Sequence, residues 1–473
     1  MEINKKEKIM IILEFVISAT IGIITYALTK NINGYNLIFI IPILYSFASL
    51  TSKNFHKDKS FMMKSLHAIM FIKYVLMPII IILNGDYYNG VLTGNIPKAD
   101  SVQEAIWLIV YEMITIFFII SIKDIFVKNI NIQSNRRENT TIEIPFIIFM
   151  AIGLIICVKF GSALIPKSFF VLDETYEVGK IESNVDGLIK ILFNLFKVMI
   201  FLYLLQKCFM KYQKKQKNIY IIISAVVVLC YIALQTSISR WNILIPVIIY
   251  LYMAHMFFKD KYIFIAISVI TVLVISIISI SIYKFSWLFN SEGSSVGKVF
   301  NILTQQVQEY FSGPRAVAQG IEAVDMYRNR ISFKTLFNDY LGSVPYISHF
   351  INQDDRINIY YNYYLKGENA TATQIMPIVN IGKAYFGTIG APILMIIYLI
   401  ISIRIGQKEK NTKNIFYKYV DCFSILVLNM SIYFNTQIVF GFMLDYIIPW
   451  TIAIKLNEYI ILKKEKKYEK WTD

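Results

Sequence analysis

Apolar residues run along this chain in blocks of roughly 17 to 25, about the length a helix needs to cross the hydrocarbon core of a bilayer. The blocks begin near Lys8, Tyr35, Ser65, Glu104, Ile144, Leu188, Tyr220, Trp241, Tyr262, Gln374, Tyr419 and Gly441. A backbone surrounded by lipid must satisfy its own N–H and C=O groups, which a helix does within one segment. The pattern predicts an all-α fold, a polytopic integral membrane helix bundle with about twelve transmembrane helices. About nine of them fall in residues 1–283 and about three in residues 375–462. Residues 284–374 are the one long polar stretch, expected to form a large helical extracytoplasmic loop, and residues 463–473 are a basic cytoplasmic tail.

Within the loop, Val296, Val299, Phe300, Leu303, Val307, Tyr310 and Phe311 recur at helical spacing, so the pattern predicts an amphipathic helix over 296–311. Ser312-Gly313-Pro314 ends it. Pro314 then suits the first position of a second helix reaching about Met326, because its fixed φ and missing donor cost nothing there.

The 473 residues are 56% hydrophobic and only 17% charged, with a mean hydropathy of +0.53, which excludes an ordinary soluble domain. The net charge of +15 does not point to nucleic acid, because the lysines and arginines cluster in alternate gaps between apolar blocks. Basic groups near Lys5, Lys57, Lys128, Lys214, Lys259, Lys410 and Lys463 all fall on one side, which the positive-inside rule assigns to the cytoplasm together with both termini. The first apolar block, behind MEINKKEK, reads as a helix and not a cleaved signal. Cys157, Cys208, Cys230 and Cys422 have no metal-ligand spacing and read as packing residues.

Arg315 falls in the first turn of the second loop helix, where a cation opposes the helix dipole unless an anion lies between them. It reads either as a clamp for a diphosphate or as an arginine pointing to water or headgroups. Arg240, in SISRWN, is a cation against the topology rule and reads as a site residue or as an interface anchor beside Trp241. His349 has the pKa range of a general base, with Asp325, Asp339, Asp354, Asp355 and Glu368 as rivals that spacing does not rank. Arg328, Arg330 and Arg356 are further external cations. Tyr360 and Tyr363, with neighbouring tyrosines and Asn358, Asn362 and Asn369, have the flat faces and amides that bind sugars, and equally those of an interfacial belt. Lys73 and Glu112, on consecutive helices at similar depth, are positioned to pair. No nucleotide-binding loop, metal motif or cofactor fingerprint is present in the sequence.

Three segments, TSISRWNILIPVIIYLYM, YFSGPRAVAQGI and ENATATQIMPIVNIGKAYFGTIGAPI, together with the layout, resemble the O-antigen polymerase (Wzy-type) family of polysaccharide repeat-unit polymerases. The resemblance implies a metal-independent glycosyltransferase in a bacterial cytoplasmic membrane, acting at its outer face without a cofactor. Its substrate would be an undecaprenyl-diphosphate-linked oligosaccharide, and the growing glycan would pass from its lipid diphosphate to a sugar hydroxyl of another lipid-linked unit. Arg240 and Arg315 would then neutralise the leaving diphosphate, and His349 or a loop carboxylate would take the acceptor proton. Arg328, Arg330, Arg356, Tyr360, Tyr363, Glu368 and Asn369 would line the substrate site. The bilayer, and the flippase and chain-length regulator of the same pathway, are the other implied partners. A flippase for lipid-linked oligosaccharide and an O-antigen-ligase-like transferase are the alternative readings.

Overall fold

A computed structural model describes residues 5–29, 34–52, 55–56, 58–84, 95–127, 144–160, 184–234, 240–284, 304, 306–344, 350–367 and 374–472. Among these residues every regular element is helical and there is no strand. In chain order the helices are α1 (Lys5–Leu28), α2 (Ile40–Thr51), α3 (Phe61–Asn84), α4 (Ala99–Ser121), α5 (Ile144–Phe160), α6 (Asn184–Lys215), α7 (Ile219–Ala233), α8 (Arg240–Phe258) and α9 (Tyr262–Lys284). Three short helices follow, α10 (Pro314–Met326), α11 (Phe333–Leu341) and α12 (Ile357–Lys366), and then α13 (Ile378–Gly390), α14 (Ile393–Asn411), α15 (Ile415–Asn429) and α16 (Thr436–Lys464).

Seven of the described helices are long and apolar enough to cross a membrane. An eighth crossing exists if α13 and α14, bent by 101°, count as one span. Ile40–Thr51, Ile144–Lys159 and Ile219–Ala233 are apolar but shorter, as is Ile265–Ser279, the inner part of α9. Each apolar block of the sequence is therefore helical, but the sequence expectation of about twelve full spans exceeds what helix length alone supports. The protein is a membrane-embedded helical protein.

The α13–α14 bend has a local cause. Gly387 has φ +72°, a conformation that side chains resist, and a Cβ on Gly382 would lie 1.9 Å from the carbonyl oxygen of Ala391. Only glycine lets the two backbones approach this closely.

Two compact units are present, one comprising Met1–Asn131, Gly293–Gln407 and Ile425–Gly441, the other Ile132–Glu292, Lys408–Ser424 and Phe442–Asp473. In the first, α3 widens into a π-turn at Ile72–Leu76, just before Pro78, whose ring would otherwise press on the preceding turn. The π-turn carries Lys73, fully buried, which donates to Glu112 Oε2 at 2.7 Å and to the Ile432 carbonyl at 3.1 Å. The pairing expected from sequence is thus present. Nearby, Asn429 accepts from Ser402 at 2.7 Å and donates to the Met62 carbonyl and Ser65 Oγ, so its buried amide is satisfied in an apolar interior. Removing one partner of the ion pair strands a buried charge, so Lys73→Met or Glu112→Leu alone should lower stability by about 3–5 kcal/mol. The double variant should recover most of that loss, read as the thermal midpoint of detergent-purified protein.

In the second unit, Lys197 is buried on α6 and donates to the Leu234 carbonyl at 2.7 Å. Leu234 caps the end of α7, where carbonyls lack helical partners, so the lysine satisfies one of them. Its ammonium also lies 4.3 Å from the centre of the Tyr231 ring. Trp450 packs edge-on to Phe423 and Tyr446, forming the aromatic core of this unit.

Candidate active site

Ser312-Gly313 breaks the chain as the sequence suggests, and the described residues before it, 304 and 306–310, are helical. Ser312 adopts φ 51° and its hydroxyl donates to the Tyr433 carbonyl at 3.2 Å, which holds an otherwise disfavoured conformation in place. Pro314 opens α10, which ends at Met326, and no side chain at Gly313 caps it. The cap comes from the preceding helix instead. Gln308 Oε1 accepts from the Arg315 backbone N–H at 2.9 Å, and Tyr35 donates to the same oxygen at 3.4 Å.

This arrangement buries Arg315, which is only 2% exposed. Burial decides against an arginine pointing to water. The phenol of Tyr361, on α12, lies within reach of the charges of Arg315 and Glu309, and its pKa is raised because burial disfavours the phenolate. The small residues Ala316, Gly320 and Ala323 let α10 pack closely on α4, α12 and α13.

A second buried ionisable group, on α11, faces the start of α12. Ser332 and Thr335 form a capping box that begins α11, and one turn later Asp339 is 1% exposed with no aligned hydrogen bond to either carboxyl oxygen. Burial pushes its pKa up to about 7. The Arg356 guanidinium and the backbone N–H groups of Ile357 and Asn358, in the first turn of α12, oppose that rise, while Asp355 adds to it. Arg356 reaches this position by lying against Gly342, where a Cβ would meet its Nη1 at 2.7 Å. Its Nε donates to the Gln353 carbonyl at 2.8 Å, and burial lowers its own pKa against the pull of Asp339.

The other loop carboxylates are engaged or exposed. Asp355 accepts from Tyr360 at 2.7 Å, Asp354 from Tyr363 at 3.3 Å, and Asp325 is exposed. Tyr360 is buried and stacks on Tyr327 with ring centres 5.2 Å apart. Arg328 and Arg330 are exposed, with Arg330 5.7 Å from the Tyr327 ring centre. Asn358 and Asn362, read from sequence either as sugar-binding amides or as part of an interfacial belt, bond to the backbone. Asn362 donates to the Gln374 carbonyl at 2.9 Å and accepts its N–H at 2.9 Å, and Asn358 accepts the Met376 N–H at 2.9 Å. They tie α12 to the chain that re-enters the apolar helices. His349, Glu368 and Asn369 lie outside the described residues.

Arg240 belongs to the second unit, where it is half-buried as the first residue of α8. Next to it in sequence, Trp241 and Asn242 line a cavity of about 20 Å³ together with Lys197, Asn194 and Tyr231. That volume suits about one water molecule and no sugar. Nearer the starts of α6 and α16, Lys190 and Asp445 interact electrostatically.

Spacing alone does not separate Asp339 from Asp325, Asp354, Asp355 and Glu368, because it shows neither burial nor what a carboxylate faces. Sequence reasoning also passed over Glu322, which accepts from the Lys98 backbone N–H at 2.7 Å and from the Tyr364 hydroxyl. Among the described residues no cluster of three or more His, Cys, Asp or Glu is arranged to hold a metal ion. Comparison with protein-family models, with curated proteins and with solved structures gives no match for this chain.

Proposed function

We propose that this protein is a membrane glycosyltransferase that polymerises oligosaccharide units carried on a polyprenyl diphosphate, at the outer face of a bacterial cytoplasmic membrane. The observation that carries this reading is a polar inter-span segment folded against apolar helices, burying an arginine at a helix start and a carboxyl group poised near neutral pH. In the proposed reaction an acceptor sugar hydroxyl attacks the anomeric carbon of the donor glycan. The bond from that carbon to the diphosphate oxygen breaks, the lipid diphosphate departs, and Asp339 takes the hydroxyl proton. Arg315 meets the charge that develops on the diphosphate, where a positioned donor in a dry environment is worth most. The donor supplies its own leaving group, so no nucleotide is needed.

The reading includes about twelve spans, with both termini cytoplasmic and residues 284–374 outside. The four further apolar helices support the higher count: α9 runs from Tyr262 to Lys284, long enough to span, and a thin or locally deformed bilayer accommodates the shorter ones at modest cost.

The test is purified protein in detergent with a synthetic lipid-diphosphate oligosaccharide, in the presence of a chelator and without nucleotide. A ladder of longer lipid-linked products is the expected result. Intact substrate across repeat units matched to the source would overturn the polymerase reading and favour a flippase.

A further inference from the structure

The second unit contains a cleft of about 650 Å³ that the proposed glycosyl transfer does not use. It lies where four helices end or begin: the last turns of α6, the last residues of α8 and of α14, and the first turn of α15. Among the described residues that line it there are four lysines, Lys214, Lys410, Lys413 and Lys418, and no aspartate or glutamate. Lys418 is buried and committed to Glu409, donating also to the Glu409 carbonyl at 2.8 Å. Tyr252 donates to the same carboxylate at 3.0 Å, which fixes the position of this pair behind the cleft wall.

The rest of the lining is apolar and soft. Phe209 and Phe257 stack with ring centres 4.4 Å apart, and Met210 and Met256 flank them. Lysines sharing one cleft with aromatic rings and thioethers match a molecule with an anionic head and a hydrocarbon body. All four lysines belong to the basic clusters that the positive-inside rule assigns to the cytoplasmic side, the leaflet surface where acidic phospholipids concentrate positive side chains.

From this placement we infer that the cleft is a binding site for the phosphate of an anionic glycerophospholipid, with Lys410 and Lys413 at the phosphate and an acyl chain running over Phe257. A free phosphate shares the head chemistry and lacks the hydrocarbon, so the two sources separate experimentally. The inference requires the membrane reading only and stands whether or not the chain is a polymerase.

The test is native mass spectrometry of detergent-purified full-length protein titrated with phosphatidylglycerol, with phosphatidylcholine and with inorganic phosphate. Wild type should retain phosphatidylglycerol adducts that phosphatidylcholine does not give. Lys410→Gln/Lys413→Gln should weaken them by roughly tenfold or more, and Lys410→Arg/Lys413→Arg should restore them. The arginine pair guards against a folding defect, since it keeps charge at both positions. Equal adducts in wild type and the glutamine variant would overturn the site. Displacement of the lipid by millimolar inorganic phosphate would overturn the lipid assignment.

Discussion

Asp339→Asn should make the protein more stable at pH 8 and abolish polymer formation. The carboxyl group has its pKa pushed from an ordinary 3.8 up to about 7, chiefly by burial. Its charged form is therefore disfavoured in the folded protein relative to the unfolded chain. Below pH 3.8 both states hold the proton and nothing is lost. As pH rises from there toward 7 the folded state is progressively penalised, reaching about 4 kcal/mol above 7. Asparagine removes this dependence, so the gain in thermal midpoint over wild type should be largest at pH 8, smaller at pH 5 and near zero below pH 4. If Asp339 takes the acceptor proton, wild-type turnover should climb through pH 7 and level off above it. A variant that is more stable and still makes normal polymer would remove Asp339 from the chemistry and leave it a structural residue.

Arg315→Ala should reduce polymer by about a hundredfold to a thousandfold, the scale seen when one donor to a developing negative charge is lost. Arg315→Lys should be poor as well. The guanidinium is planar and presents paired donors, whereas an ammonium in the same enclosed volume offers one point charge and leaves space unfilled. Because Arg315 is buried, both variants need a check that they remain monodisperse and melt within a few degrees of wild type. Normal chain length from both, in protein that passes that check, would sink the diphosphate role.

Much of the architecture was legible because lipid imposes a simple rule: long apolar blocks must be helices. The Ser312-Gly313-Pro314 break and the reach of α10 to Met326 followed from proline and glycine geometry alone. The Lys73–Glu112 pair followed from the cost of charge in an apolar interior. The number of complete crossings did not follow, since hydropathy marks an apolar block without fixing the length of helix it forms, as the twelve residues of α2 show. At the candidate site, Arg315 was visible through its place at a helix start. Asp339 was visible only as one of several loop carboxylates, because what distinguishes it from Asp354 and Asp355 is that their oxygens accept from tyrosines while its own face a helix terminus. The amides of Asn358 and Asn362 stayed open between two readings for the same reason: composition cannot say whether an amide meets a ligand or its own backbone.

The contacts of the polar segment also set an order of assembly. Ser312 is held by the Tyr433 carbonyl, Asn358 by the side chain of Asn435 at 3.1 Å, and Ser343 by the Gln437 carbonyl at 2.9 Å. The Lys73 ammonium is likewise completed by Ile432, immediately before them. All four anchors fall in one short stretch that the ribosome delivers roughly a hundred residues after Arg315, at a pace of about 5–20 residues per second. For several seconds of synthesis the arginine and the aspartate would exist without the wall that encloses them, and Lys73 without its second acceptor. The enclosure of the segment is thereby withheld until residues 432–437 have been made.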